Sequence, residues 1–434
     1  MQQQAIGKFR WTICALVFFA TTINYLDRAV IALLKEKLEG QFHWTESDYS
    51  NIVIAFQLSY AIGLLFAGRL IDKIGTKLGY AVSIFAWSIA AVCHALVSST
   101  LGFGVARAFL GVTEAGNFPS AIKTTAEWFP KKERAFATGI FNSGTNIGAI
   151  VAPLCVPLIA AKMGWQWAFI LTGAIGFIWL VCWYAFYEIP LKHKRLSKAE
   201  FDYIHGDEDE IKVTDTIADT RKVSWTQLLK FRQTWTFVLG KFLTDPVWWF
   251  YLFWLPAFLK AQYGISGTAV SMPVALVYTM STFGSIIGGW LPMYFIKKGW
   301  AVFRSRKTSM FIYALFALPV VFAQYLGSLN MWLAVVIIGI ATSGHQAWSA
   351  NIFTTVSDMF PKKAVGTVTG IGGMAGSLGG LLIAKLAGIL FDHYKALGSI
   401  ETGYYIMFFI CGFAYLAAWL IMHVLSPNMK RVVL

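Results

Sequence analysis

Asp27, Arg28, Arg107 and Glu114 are four ionisable residues set in stretches that are otherwise almost wholly apolar. Charges in apolar surroundings are expensive, and they are kept where they bind or move charge. At about 1.5 Å per residue, Asp27 and Arg28 lie roughly 11–12 Å in from the outer end of one helix, and Arg107 about 10 Å in from the outer end of another. Asp27 and Arg107 thus share a depth and are expected to pair. The alternative is an ion pair that only packs. Glu114 lies two turns beyond Arg107 on nearly the same face, about 20 Å deep. Burial penalises the charged carboxylate there, as suits a group that takes up and releases a proton.

Later in the chain Lys241 and Asp245 stand at i, i+4 and can pair on one helix face. Pro246 follows and is expected to disturb the helix locally, which fits a broken, cavity-lining helix. The run Trp248, Trp249, Phe250, Tyr251, Phe253, Trp254 is mostly packing or lipid-facing surface, with one or two rings, Trp249 among them, free to stack on the C–H face of a ligand. His345, Gln346, Ser349 and Asn351 put too many hydrogen-bonding groups on one segment for lipid, and read as a subsite for substrate hydroxyls. Lys385 stays open between structure and site.

The elements that must hold these residues are helices in a membrane. Of 434 residues 57% are hydrophobic and only 13% charged, against about 25% charged in a soluble domain. The mean hydropathy is +0.59. Segments of about 20 apolar residues recur at roughly 11–36, 48–70, 77–98, 100–125, 134–161, 165–187, 233–260, 267–295, 307–327, 331–357, 364–392 and 401–426. The chain is expected to be an all-α, polytopic membrane protein with twelve spans. One alternating set of loops, with the termini, holds 27 of the 36 Lys and Arg; the other set holds five. That asymmetry places both termini in the cytoplasm. It also accounts for the net charge of +14, which is therefore no sign of nucleic-acid binding. The five cysteines all fall in spans and are expected to be buried packing residues. The first apolar run is too long for a cleaved leader and reads as a retained span.

An internal repeat divides the chain. WFPKKERAFATG at 128–139 matches MFPKKAVGTVTG at 359–370, an offset of 231. Gly139 and Gly148 pair with Gly370 and Gly379 at the same offset, and FRWT at 9–12 echoes FRQT at 231–234. Two parallel six-helix bundles are expected, residues 1–187 and 233–434, with the substrate site at the midplane between them. The connector 188–232 holds nine basic and nine acidic residues and reads as a cytoplasmic linker carrying a short surface helix at LSKAEFDYIHG. The glycines of the fifth and eleventh spans read as close-packing surfaces without chemistry.

Between the second and third spans the loop runs Gly68-Arg69-Leu70-Ile71-Asp72-Lys73-Ile74-Gly75-Thr76-Lys77. Gly68 allows close helix packing, Asp72 can face a helix N-terminus or a basic partner, and Lys73 and Lys77 hold the loop on the cytoplasmic side. The loop resembles the signature of the major facilitator superfamily, in which it acts as a cytoplasmic gate; the second-half counterpart, Gly288 to Lys298, lacks the Asp. A wider resemblance rests on Asn24 to Arg28, on Arg107 with Gly111 to Ala115, on Glu127 to Pro130 and on His345 to Ser349. These look like the anion:cation symporter family, most of all its bacterial hexuronate transporters, with galactonate and glucarate transporters and sialin as further relatives. The resemblance implies proton-driven import of a sugar-acid anion across a bacterial inner membrane. It matches Asp27 and Glu114 to proton-coupling acids, Arg107 to the arginine that tunes them, Arg28 to the substrate-carboxylate arginine and Tyr60 to a substrate-contacting tyrosine.

Three other readings compete. Anion exchange or uniport without protons has little use for buried carboxylates. A non-transporting sensor needs a signalling domain, and only 188–232 is long enough to hold any. An enzyme needs a metal cluster, a nucleophile elbow or a phosphate loop, and the sequence offers none. The expected partners are a small anionic carbohydrate, protons as coupling ion and the bilayer. No cofactor or metal and no nucleic acid is expected, and one chain suffices for the fold.

Overall fold

The computed structural model describes residues 6–206, 223–265 and 267–434. The described residues are helical nearly throughout and contain no strand. The first part of the chain forms α1 (Phe9–Leu33), α2 (Lys35–Phe42), α3 (Glu46–Ile74), α4 (Thr76–Cys93), α5 (Thr100–Glu114), α6 (Asn117–Trp128), α7 (Lys131–Lys162) and α8 (Trp165–Phe186). Two short connector helices follow, α9 (Lys198–Ile204) and α10 (Trp225–Leu228). Then come α11 (Arg232–Tyr263), α12 (Ser271–Lys297), α13 (Val302–Ala317), α14 (Ala323–Leu329), α15 (Met331–Met359), α16 (Lys362–Ala396) and α17 (Ile400–Leu425). Among the described residues ten helical segments are long and apolar enough to cross a membrane, so this is a multi-pass membrane protein.

Local chemistry explains the boundaries. Pro130 and Pro361, the prolines of the repeated FPKK, stand as N-caps of α7 and α16, so each copy of the motif ends one helix and starts the next. Thr45 and Asp48 form a capping box on α3. Gly75, at φ +86°, lets α3 turn directly into α4.

Three expected features differ. The segment expected as one helix at 100–125 is two, α5 and α6, separated at Ala115–Gly116. Conversely, α11 is not broken at Pro246. The ring of Pro246 and the carbonyl of Phe242, which Pro246 leaves without its usual donor, both lie against Gly379, where the missing side chain makes room for the distorted turn. The cysteines also divide: Cys14 and Cys411 are buried, but Cys155 is exposed on the outside of α7.

Within the first part, α1 packs on α7 and α8, and α3 on α5; within the second, α11 packs on α16 and α12 on α15. The two parts meet along α3–α16 and α7–α12. Glycines make these crossings close: a Cβ on Gly68 would overlap the Gly366 carbonyl, and one on Gly139 that of Ser285.

The start of α1, the residues after α17 and the described part of the connector lie on one face. Phe9 and Arg10 donate backbone N–H groups to Glu200 of α9, at 3.1 and 3.0 Å. Arg10 also pairs with Glu133 at the start of α7 (2.8 Å), and Tyr203 donates to Glu133 (2.6 Å). Val432 donates to the Met359 carbonyl at 2.7 Å. The connector is therefore more than a solvated linker: Glu200, 1% exposed, holds the start of α1, while Tyr203 of the same short helix reaches α7. Its segment 207–222 lies outside the described residues.

Candidate transport site

A cavity of about 70 Å³ lies between the two parts of the chain. It is small beside the roughly 300–1,000 Å³ of typical small-molecule sites, so its walls have to part for a ligand. From the first part, α1 brings Tyr25 and Arg28, α3 brings Tyr60, α6 brings Phe118, and α7 brings Asn142 and Thr145. From the second, α11 brings Lys241, Asp245, Trp248 and Trp249, α15 brings His345, Gln346, Ser349 and Phe353, and α16 brings Thr369, Gly373 and Ser377.

The first wall centres on Arg28. Its Nε meets Glu114 Oε2 at 2.6 Å, joining α1 to α5. Its guanidinium lies 4.3 Å from the Tyr60 ring centroid and 4.8 Å from that of Tyr25, an arrangement that favours a cation. Glu114 is fully buried and its Oε1 accepts no hydrogen bond among the described residues.

The expected Asp27–Arg107 pair does not form. Arg107 Nη2 donates to the backbone carbonyl of Arg28 at 2.9 Å, and its guanidinium lies 5.1 Å from the Phe56 ring. Both Asp27 oxygens and both amide atoms of Asn24 are buried without a partner among the described residues. Neighbours on α1 project about 100° apart, so Arg28 faces the cavity while Asp27 turns into the first part of the chain, beside Thr172 of α8.

On the second wall, Lys241 Nζ meets Asp245 Oδ2 at 2.7 Å, and the ammonium lies 4.0 Å from the Phe353 ring. Phe353 in turn stacks on Phe118 across the cavity, at 5.1 Å and 18°. His345 meets Tyr415 Oη through Nδ1 at 2.6 Å and stacks on Trp248 at 5.2 Å, which leaves Nε2 for the cavity. Gln346 is held across the cavity: Asn142 donates to its Oε1 at 2.7 Å. Ser349 lines the cavity; Asn351 does not. Asn351 donates to the carbonyls of Gly288 (2.7 Å) and Ala347 (2.9 Å) and ties α15 to α12. Lys385 is exposed, away from the cavity.

Two latches lie between the cavity and the face of the termini. Asp72 accepts from the N–H of Gly366 (3.1 Å), from the N–H and Oγ1 of Thr367 (2.6 and 2.7 Å), and from Lys123 (2.8 Å). It thus meets both a helix start and a basic partner. Gly68 sits beside it against α16, Lys77 pairs with Glu188 at 2.8 Å, and Lys73 is exposed. The second latch is built differently. Asp358, at the end of α15, accepts from Arg306 at 3.0 Å, while Arg306 donates to the Lys131 carbonyl (2.7 Å) and Arg134 to the Ser357 carbonyl (3.0 Å). Asp358 and Glu127 occupy equivalent positions in the repeat, yet Glu127 stays within the first part, accepting from Thr76 and Tyr187. Asn142, Thr145 and Asp358 had a readable signal: NSGTN at 142–146 is as polar as the segment around His345, and Asp358 abuts the repeat.

A cavity at the seam of two helical groups, latched on one face and lined by paired charges, defines the class as a membrane transporter. Residues 17–384 match the sequence profile of the Major Facilitator Superfamily, and the chain belongs to that family. It is 34% identical over 390 residues to the hexuronate transporter of Escherichia coli (strain K12), covering 89% of each chain. It is 35% identical to the galacturonate transporter of Dickeya chrysanthemi, over 67% of this chain and 84% of that one, and 28% identical to the D-galactonate transporter of Escherichia coli O6:H1, over 89% and 90%. The solved proton:xylose symporter XylE superposes with a TM-score of 0.78 at 16% identity, covering 97% of each chain, a likeness of fold. The protein is thus a transporter rather than an enzyme, related to carriers of sugar acids.

Proposed function

We propose that the chain imports a sugar-acid anion, of hexuronate or aldonate type, by proton symport through alternating access. The observation that carries this is the 2.6 Å contact between Arg28 and Glu114 at the cavity wall. While Glu114 is charged, it occupies the guanidinium that a substrate carboxylate would use. A proton on Glu114 releases Arg28, and the two-pronged guanidinium suits an incoming carboxylate. Proton and anion therefore enter the occluded state together. Asp27, buried without a hydrogen-bond partner among the described residues, takes a second proton, and Arg107 tunes both acids through its hold on the Arg28 backbone.

The architecture that serves this mechanism has twelve spans, with α5–α6 and α11 added to the ten apolar ones, in bundles 1–187 and 233–434 joined by 188–232. The excess of positive charge in one alternating set of loops supports termini and latches on the cytoplasmic side, and the bacterial relatives support an inner-membrane carrier, which acts on this reading as a monomer. The latches are closed, so the cavity communicates with the outside when its walls part. The test is Glu114→Gln in proteoliposomes. Accumulation on a pH gradient should be lost while exchange of labelled for unlabelled substrate survives. Undiminished accumulation by Glu114→Gln would refute the assignment.

A further inference from the structure

We propose that Asp245, Trp249 and His345 form a pyranose subsite, seated by Gly376 and Gly380 of α16, and that it makes the carrier prefer ring-form hexuronates to open-chain aldonates. The inference rests on the sugar-acid reading above and decides between its two substrate types.

Asp245 and Trp249 stand at i, i+4 and present one face of α11 to the cavity. Neither could sit where it does beside an ordinary helix. A Cβ on residue 376 would overlap the Asp245 carboxylate, and one on residue 380 the Trp249 indole. These glycines therefore shape the site, besides letting helices pack closely. Asp245 spends one oxygen on Lys241, and its side chain is 19% exposed, the most open of the charged groups in the two cavity pairs. An ionised carboxylate has about four lone-pair positions, so acceptor capacity remains for hydroxyls. Trp249 lines both the main cavity and the smaller opening beside Phe56 and Phe253, and stacks on Phe253 at 5.7 Å and 19°. Phe253 thus fixes the orientation of the Trp249 ring. His345, fixed by Tyr415 and Trp248, offers Nε2 from the opposite helix.

The ligand that fits has a flat apolar face and hydroxyls at fixed angles around its rim. A pyranose chair has both: axial C–H bonds make a patch for the indole while equatorial hydroxyls reach acceptors at the edge. An open-chain acid turns its hydroxyls to all sides and has to freeze several C–C rotors on binding, a loss that a preformed ring avoids. With the carboxylate on Arg28, the ring of a uronate reaches toward α11.

The test is competition against pH-driven uptake of labelled galacturonate into proteoliposomes containing the full chain. Unlabelled galacturonate should inhibit about tenfold more strongly than galactonate, the scale of one good aromatic contact. Trp249→Leu and Gly380→Ala should bring that ratio close to one, and Trp249→Phe, which keeps a flat ring, should preserve most of it. Inhibition by lactate should stay the same in all three variants, as a merely structural defect would not allow. Equal inhibition by both sugar acids in the wild type, or an unchanged ratio in Trp249→Leu and Gly380→Ala, would overturn the ring preference alone. Uptake of neither acid would overturn the sugar-acid reading and this inference with it.

Discussion

The cavity has two ion pairs of similar length and unlike construction. Arg28–Glu114 joins residues 86 positions apart on α1 and α5, with the glutamate fully buried. Lys241–Asp245 lies within one turn of α11, with the aspartate partly open to the cavity. A pair on one helix travels with that helix, so breaking it alters charge at the site and little else. A pair between helices holds two elements in register, and removing one partner from a buried pair typically costs about 3–5 kcal/mol. On the proposed mechanism the first wall senses the proton and the second reads the sugar.

Neutralising each acid in turn should separate those roles most sharply. Glu114→Gln should lose at least 100-fold in pH-driven accumulation, a change of about 2.7 kcal/mol or more. Asp245→Asn should stay coupled and lose about tenfold in affinity, close to 1.4 kcal/mol. Steady-state accumulation at fixed pH gradients gives both numbers. An uncoupled Asp245→Asn, or a coupled Glu114→Gln, would reverse the assignment of the walls.

The cations offer the next contrast. Arg28→Lys replaces a planar fork with a point charge and should weaken the sugar acid by roughly 30- to 100-fold. Lys241→Arg keeps the charge beside Asp245 and should change affinity less than about fivefold, because Lys241 faces a single carboxylate oxygen. Equilibrium binding to purified variants decides; equal losses would mean that both cations hold the carboxylate.

His345 and Gln346 are neighbours in sequence with different expected effects. His345→Ala removes a group with a nitrogen facing the cavity, and should weaken a polyhydroxy acid roughly 5- to 100-fold more than lactate. Gln346→Ala leaves Asn142 without its 2.7 Å acceptor and should weaken both ligands alike, since it loosens the contact between α15 and α7. Selective loss in Gln346→Ala would return that residue to the hydroxyl-reading subsite.

What the sequence showed and what it hid follow one physical division. Apolar length, loop charge and the FPKK repeat are local properties, and they were enough for the helical class, most boundaries and the glycine–aspartate latch. Which helices touch is a property of packing, and there the residues misled. Asp27 and Arg107 share a depth but not a face, so Arg28 has Glu114 and the Asp27 oxygens accept no hydrogen bond among the described residues. Pro246 signals a break that Gly379, on another helix, absorbs. Asn351 is as polar as Ser349, but its partners are backbone carbonyls of α12 and its own helix. The second latch escaped notice because its charges come from three helices, with no motif linking Arg134, Arg306 and Asp358.

A third ion pair, outside the cavity, calibrates the other two and should give the smallest effect. Lys77 and Glu188 meet at 2.8 Å on the face of the termini, with side chains about one-third exposed (32% and 35%). The hydrogen bond from Lys77 holds the Glu188 carboxyl below the usual glutamate range, with partial burial opposing it. A folded-state value below that of the unfolded chain adds stability that is fully present above the unfolded value, about 4.3, and disappears as pH falls through the folded one. Lys77→Ala should therefore destabilise the protein by at most about 1 kcal/mol at pH 7, reduced further by salt. The difference from wild type should hold from pH 7 to 5, start to shrink below about 4.3 and vanish as pH falls through the depressed Glu188 value. Thermal unfolding in detergent across that range measures it. A difference that showed no decline on acidification below about pH 4.3 would show that the Lys77 stem stabilises by packing, and that the ion pair contributes nothing measurable at this depth.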